Sequence, residues 1–190
     1  MKSPLRSSDP TLPDFLAPGL KLVFIGLNPG LYSAKQGKYF ARKTNRFWPA
    51  LSASGLAGND LKPGDEAKLL EMKIGFTDVV KRASSQIDEL SKDEIVAGAL
   101  ALREKIEFYK PLAACFIGLT GFRWVFHLPQ RIAVFPGPQE QSIGATRLYV
   151  VPSTSPANAH YKLDEIILQF SKLKKWLESS ATQSLAGISF

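Results

Sequence analysis

Apolar positions along the chain fall into two spacings. Leu22, Val23, Phe24 and Ile25 form an unbroken apolar run, and Leu112 to Ile117 forms a second. Short runs of this kind, rich in β-branched and aromatic residues, predict strands buried on both faces. Ile74 to Val80 predicts a short strand or extended turn, Ile132 to Phe135 a short strand, and Arg147 to Val151 the last strand. Helical spacing recurs in Ile95, Leu102, Ile106 and Tyr109, and again in Ile166, Phe170, Leu173 and Leu177. Ser91 with Glu94 three residues on is a capping box that starts the first of these helices, and Pro111 stops it. The second is expected over residues 163–177. Shorter helices are expected over 46–54, with Asn45 as N-cap, and from Gly118 to about Phe126. Strands alternating with helices predict an α/β fold, a central, mostly parallel sheet between layers of helices.

Two of the strands end in polar loops. The first runs into Gly26, Leu27, Asn28, Pro29 and Gly30, and the last runs into Pro152 to His160. Open α/β sheets place ligands outside the C-terminal ends of their strands. If the two strands are neighbours, both loops line one crevice. Residues 29–44 are expected to form one long loop, carrying Gly30, Gly37, lysines and aromatics. A loop of that length is often functional.

Composition narrows the possibilities. A chain of 190 residues, 45% hydrophobic and 22% charged, fits a single soluble domain spanning 1–190. Its ends, 1–18 with four prolines and 178–190, are expected to be flexible. The single cysteine, Cys115, excludes an internal disulfide and any cysteine-ligated cluster. His127 and His160 are too few and too far apart for a metal site, so neither metal nor cofactor is expected. No apolar stretch approaches a membrane span, and the N-terminus lacks a signal-peptide core, so the expectation is an intracellular monomer, cytoplasmic or nucleoid-associated if bacterial.

The net charge of +7 points to an anionic partner, and its placement says more. No acidic residue lies between Asp14 and Asp60, whereas Lys21, Lys35, Lys38, Arg42, Lys43 and Arg46 all do. The crevice would thus combine Asn28, Thr77 and Asp78 with a basic loop, the aromatics Tyr39 and Phe40, and the Ser153-Thr154-Ser155 turn. Basic groups and hydroxyls hold phosphates, and an aromatic ring gives a base a face to stack on. The set suits a nucleotide drawn out of a duplex into a pocket. Each residue alone has a structural explanation: Phe40 as core, Thr77 as a strand residue, 153–155 as a capping turn. No phosphate-binding Gly-x-x-x-x-Gly-Lys loop and no Gly-x-Ser-x-Gly elbow occurs.

The motifs also resemble a family. Ile25-Gly-Leu-Asn-Pro-Gly-Leu31 followed by Asn45-Arg-Phe-Trp48 is similar to the first motif of the mismatch-specific uracil/thymine DNA glycosylases, within the uracil-DNA glycosylase superfamily. The resemblance continues through Gly75-Phe-Thr-Asp-Val-Val80, Glu89-Leu-Ser91 and Phe116-Ile-Gly118, and closes with Val151-Pro-Ser-Thr-Ser155. It covers roughly residues 21–172 in order. It implies the superfamily's three-layer α/β/α sandwich. It also implies that Asn28 positions an attacking water, that Phe40 stacks on the flipped base, and that Ser153 and Ser155 grip the DNA backbone. Pro156, Ala157 and Asn158 lie where the family inserts a wedge. Asp78 falls beside the base edge, where relatives differ, and Ser84 matches a Thr that assists the water in some members. The chain departs from the pattern at Ala157, too small to plug a duplex, and at Tyr39, which replaces a loop His.

The catalytic candidates are therefore Asn28, Asp78 and Ser84, and the substrate-binding candidates Leu27, Tyr39, Phe40 and Ser153. The DNA-binding candidates are Lys35, Lys38, Arg42, Lys43, Ser155, Pro156, Ala157, Asn158 and His160. Asn is no base at neutral pH, so Asn28 can orient a water but not deprotonate it. The expected activity is monofunctional hydrolysis of the N-glycosidic bond of uracil, and of other damaged or mismatched bases, in double-stranded DNA, with single-stranded DNA as a further substrate. The rival is a non-catalytic protein holding damaged DNA on the same cleft. A small-molecule nucleotide hydrolase is disfavoured by the basic loop.

Overall fold

The structure, a computed structural model, describes residues 11–186. Its centre is a five-stranded sheet. The strands are β1 (Leu22–Gly26), β2 (Ile74–Asp78), β3 (Ala113–Ile117), β4 (Gly137–Ile143) and β5 (Thr146–Val151), in the order β2-β1-β3-β5-β4. β2, β1, β3 and β5 run parallel, and only β4 is antiparallel, at one edge. Every residue of β1, β2 and β3 is buried, as apolar runs flanked by helices on both faces require.

The helices are α1 (Leu31–Gln36), α2 (Phe47–Ala53), α3 (Glu66–Glu71), α4 (Lys92–Tyr109), α5 (Leu119–Val125) and α6 (Leu163–Ala186). Alternating residues of each strand feed opposite cores. Phe24 and Phe76 join Phe47, Leu69, Ile166 and Phe170 from α2, α3 and α6 on one face. Val23, Ile25 and Phe116 join Leu102, Ile106, Phe122 and Val125 from α4 and α5 on the other. The first core is aromatic: Phe24 lies 5.1 Å from Phe47 and 5.8 Å from Phe170, centre to centre. The capping box forms as expected: Ser91 Oγ accepts from the Glu94 amide, and Glu94 Oε2 accepts from the Ser91 amide.

Several expectations need correction. The long loop 29–44 contains α1, a single helical turn and a half closed by Gly37 in the left-handed conformation at φ 64°. It has no acidic residue in its first turn and no side-chain N-cap, so the sequence carries little start signal. The strand expected at 132–135 does not form, and Phe135 there is exposed. The strand forms instead at Gly137–Ile143, where polar residues read as a loop. An edge strand needs only backbone pairing on one side, here with β5, and its outward residues face water. Residues 11–18 are not a loose lead: Leu12 is buried, and Phe15 exchanges both backbone hydrogen bonds with Phe76 of β2. The last helix continues past Leu177 to Ala186, so the tail is helical for most of its length. Residues 1–10 and 187–190, also expected to be flexible, lie outside the described residues.

β1 and β5 are not neighbours either. β3 lies between them, and its C-terminal end at Ile117 and Gly118 completes the floor of a shared cleft. Gly118 (φ 103°) makes the turn there and donates its amide to Val151. The switch from β1–β2 on one side to β3–β5 on the other is where open α/β sheets form crevices.

Candidate functional site

The cleft has a volume of about 980 Å³ and is walled by the ends of β1, β2, β3 and β5. Asn28 follows β1, and three acceptors hold its amide group. Nδ2 donates to Ser84 Oγ (2.8 Å), Arg82 O (3.1 Å) and Pro29 O (3.2 Å). Ser84 is buried, and its own hydroxyl donates to Gln86 O at 2.6 Å. Its proton and the lone pair facing Asn28 are thus both engaged, which fits a brace for the amide. With Nδ2 tied back, Oδ1 of Asn28 is the atom left to accept a hydrogen bond from a water in the cleft.

Asp78 ends β2, opposite Gly26 in register. It is 3% exposed, yet it lines the cleft. Gly26 is required here: a Cβ on it would stand 2.4 Å from Asp78 Oδ1. Among the described residues, Asp78 Oδ2 has no hydrogen-bond partner, and its near cation is Lys81, with Nζ at 3.6 Å. Burial pushes the carboxyl up to about 6, against the pull of Lys81 and of the Tyr39 hydroxyl. A carboxylate poised near neutrality in a cleft is a candidate proton acceptor.

Tyr39 and Phe40 form part of the wall. Tyr39 is buried and built in: its amide donates to Glu66 Oε1 (2.7 Å), its hydroxyl to Pro13 O (3.2 Å), and its carbonyl accepts from Trp48 Nε1 (2.8 Å). Burial, then the carboxylates of Asp78, Asp14 and Glu66, raise its phenol, so it stays protonated. Phe40 adopts φ 51° and stacks on Phe47 at 4.2 Å, leaving its ring half-exposed to the cleft. Leu27 lines the floor and packs near Gly121. Thr77 does not join the site: it is fully buried, and its hydroxyl donates to Asp14 Oδ1.

The opposite wall is the 153–161 loop. Ser153 Oγ accepts from the Ser155 amide, and Ser155 Oγ from the Ala157 amide, both at 3.3 Å. Neither serine hydroxyl donates to another of the described residues, which leaves both protons for a ligand. Thr154 Oγ1 is buried in the same wall and has no partner among the described residues. Asn158 is a loop fastener, with Nδ2 on Ser153 O (2.8 Å) and Oδ1 accepting from the His160 amide (3.3 Å). Pro156, Ala157 and His160 are exposed at the rim.

Of the basic candidates, Arg42 lines the cleft, while Lys35, Lys38 and Lys43 are exposed outside its lining. Arg46 is not a free cation. Its guanidinium donates to four backbone carbonyls of the facing loop: Thr154 (3.4 Å), Asn158 (2.9 Å), Ser155 and Tyr161. Arg46 belongs to the acid-free basic stretch, and its position in Asn45-Arg-Phe-Trp48 gives no hint of partners more than 100 residues away. Asp14 was missed altogether, for the same reason. Among the described residues, no group of three or more His, Cys, Asp or Glu is placed to hold a metal, and no helix is long and apolar enough to cross a membrane.

A family model of the uracil DNA glycosylase superfamily matches residues 13–181. Among solved structures, the chain is similar to the solution structure of a candidate uracil DNA glycosylase from Methanosarcina acetivorans. The TM-score is 0.61 at 22% identity, over 90% of this chain and 98% of that one. That likeness supports the three-layer fold.

Proposed function

We propose that this chain, which belongs to the uracil DNA glycosylase superfamily, is a monofunctional DNA glycosylase that removes uracil from DNA by hydrolysis. The observation that carries the reading is the Asn28 amide. Three acceptors hold its Nδ2 back at the mouth of a cleft that also contains the Asp78 carboxylate. Preorganised groups of this kind act on the transition state without reorganising.

In glycosidic hydrolysis the sugar becomes oxocarbenium-like while negative charge develops on the departing base. Asn28 Oδ1 orients a water toward C1′ of the flipped nucleotide. Asp78 accepts a proton from that water as it adds to C1′, or accepts a hydrogen bond from N3–H of uracil and so fixes the base. Phe40 offers its free face to the base, and the Ser153 and Ser155 hydroxyls with Arg42 take the flanking phosphates. The small Ala157 gives the rim no plug, which favours weak discrimination of the opposite base. Water as nucleophile leaves an intact abasic strand.

The test is end-labelled duplex carrying one uracil, incubated with the protein in EDTA and analysed before and after alkali. Cleavage only after alkali is the expected result. Intact strand after alkali would favour a non-catalytic binder of damaged DNA. A borohydride-trapped adduct would mean an amine nucleophile, and no hydrolytic role for Asn28.

A further inference from the structure

Behind the cleft, Asp78 is linked to a charge cluster that the reaction scheme above does not use. Lys81 Nζ stands 2.8 Å from Asp14 Oδ1 and 3.6 Å from Asp78 Oδ2. Asp14 also accepts from Thr77 Oγ1 at 2.8 Å and from Lys105 Nζ at 2.6 Å. Burial opposes its charge, but Lys105, Lys81 and Thr77 together hold its carboxyl below the usual value, so it is ionised. The segment bearing Asp14 is fixed against β2 by the Phe15–Phe76 bridge.

We propose that Lys81, held at a distance by Asp14, is the positioning residue that sets the charge state of Asp78. The inference rests on the proposed role of Asp78 in catalysis. Among the described residues, four ionisable groups surround this carboxylate: Lys81 after β2, Asp14 from the leading segment, the Tyr39 hydroxyl from the loop after α1, and Lys105 of α4 through Asp14. Lys81 is the cation nearest it, and Asp14 competes for the same ammonium at hydrogen-bonding distance. Lys81 therefore stabilises the Asp78 charge mainly through the Coulomb attraction, across a 3.6 Å contact too long for a good hydrogen bond. A full ion pair would keep Asp78 charged at any working pH, with its lone pairs occupied. No cation at all would shift it toward the protonated form at neutral pH. The shared arrangement leaves it both ionised and free to accept.

The consequence is a pair of opposed shifts. Lys81→Met removes the cation, so Asp78 should titrate about one unit higher. Asp14→Asn removes a negative neighbour and releases Lys81 toward Asp78, so Asp78 should titrate lower, by about half a unit or more. Two readouts follow both variants. One is carbon-13 NMR titration of the aspartate carboxyls, with the Asp78 signal assigned by its loss in Asp78→Asn. The other is the acidic limb of single-turnover uracil excision. Opposite shifts in the NMR titration, with the acidic limb moving alike, are expected. No shift, or shifts of the same sign, would overturn the proposal. Lys81→Gln, which keeps a polar chain without charge, replaces Lys81→Met if that variant does not fold, with the same expected upward shift. If the wild-type protein excises no uracil, the functional reading fails, whereas the NMR titration still decides whether Lys81 and Asp14 control Asp78.

Discussion

Replacing Gly26 with Ala tests whether the sheet and the site are one mechanical unit. The added methyl would sit 2.4 Å from Asp78 Oδ1 and 3.6 Å from Cγ, and its next neighbour is Thr77 O at 4.0 Å. The backbone itself accepts Ala, because Gly26 is not in the left-handed region. The clash is therefore with the carboxylate alone. Asp78 is buried and flanked by Lys81, so it cannot rotate into solvent cheaply. Overpacking of this kind costs about 1–3 kcal/mol, and displacing a buried charge adds to it, so a loss of about 2–4 kcal/mol is expected. In an Asp78→Ala background both contacting atoms are gone, and the same methyl should cost less than about 0.5 kcal/mol, helped by the lower chain entropy of Ala. In an Asp78→Asn background the shape persists, so the clash should persist too. Urea unfolding of the single and double variants measures the coupling, expected at about 2 kcal/mol or more with Ala and at about 1 kcal/mol, the charge part alone, with Asn. Additive effects of Gly26→Ala and Asp78→Ala, within about 0.5 kcal/mol, would refute the packing of the carboxylate over Gly26.

Three further outcomes are expected. Asn28→Ala should lower single-turnover excision by about 10²-fold or more while DNA affinity stays within severalfold, since a water-orienting group acts mainly in the transition state; equal losses in rate and affinity would make Asn28 a binding residue. The Asp78 carboxyl titrates at about 6 in the fold but near 3.9 in an unfolded chain, so the folded state binds the proton more tightly and loses stability as pH rises through that window. Asp78→Asn escapes this penalty: it should match wild type below about pH 4 and exceed it by roughly 1–3 kcal/mol above about pH 7, and parallel stability–pH curves would rule the penalty out. Arg46→Met should loosen the 153–161 loop, seen as faster amide exchange there and weaker DNA binding at nearly unchanged helix content; a loop as protected as in wild type would show that its serine turns suffice.

The parts of the fold that were legible share one property: their signal is local. The apolar run of β1 and the Ser91–Glu94 capping box each need only neighbours in sequence. Asn28 and Asp78 were legible as polar residues ending buried strands, where the sheet itself dictates exposure to a crevice. What was not legible depends on distant partners. β4 is a strand because β5 offers it hydrogen bonds, not because of its side chains. Asp14 reads as one acid in a loose lead until Lys81 and Lys105, 67 and 91 residues away, close on it. Lys35, Lys38 and Lys43 are exposed as their charge suggests, but that they stand outside the cleft lining could not be read along the chain.

The grip of Arg46 has a consequence for how such a site can diversify. Its guanidinium bonds fall on main-chain carbonyls of residues 154–161, so this hold on the loop does not involve the rim side chains of Pro156, Ala157 and His160. Pro156, Ala157 and His160 are thereby an interchangeable face on a fixed frame. A larger residue at 157 could be installed, or lost, without rebuilding the Asn28 and Asp78 wall on the other side of β3. Descendants of one scaffold could in this way drift in what they tolerate across the duplex while keeping the same chemistry.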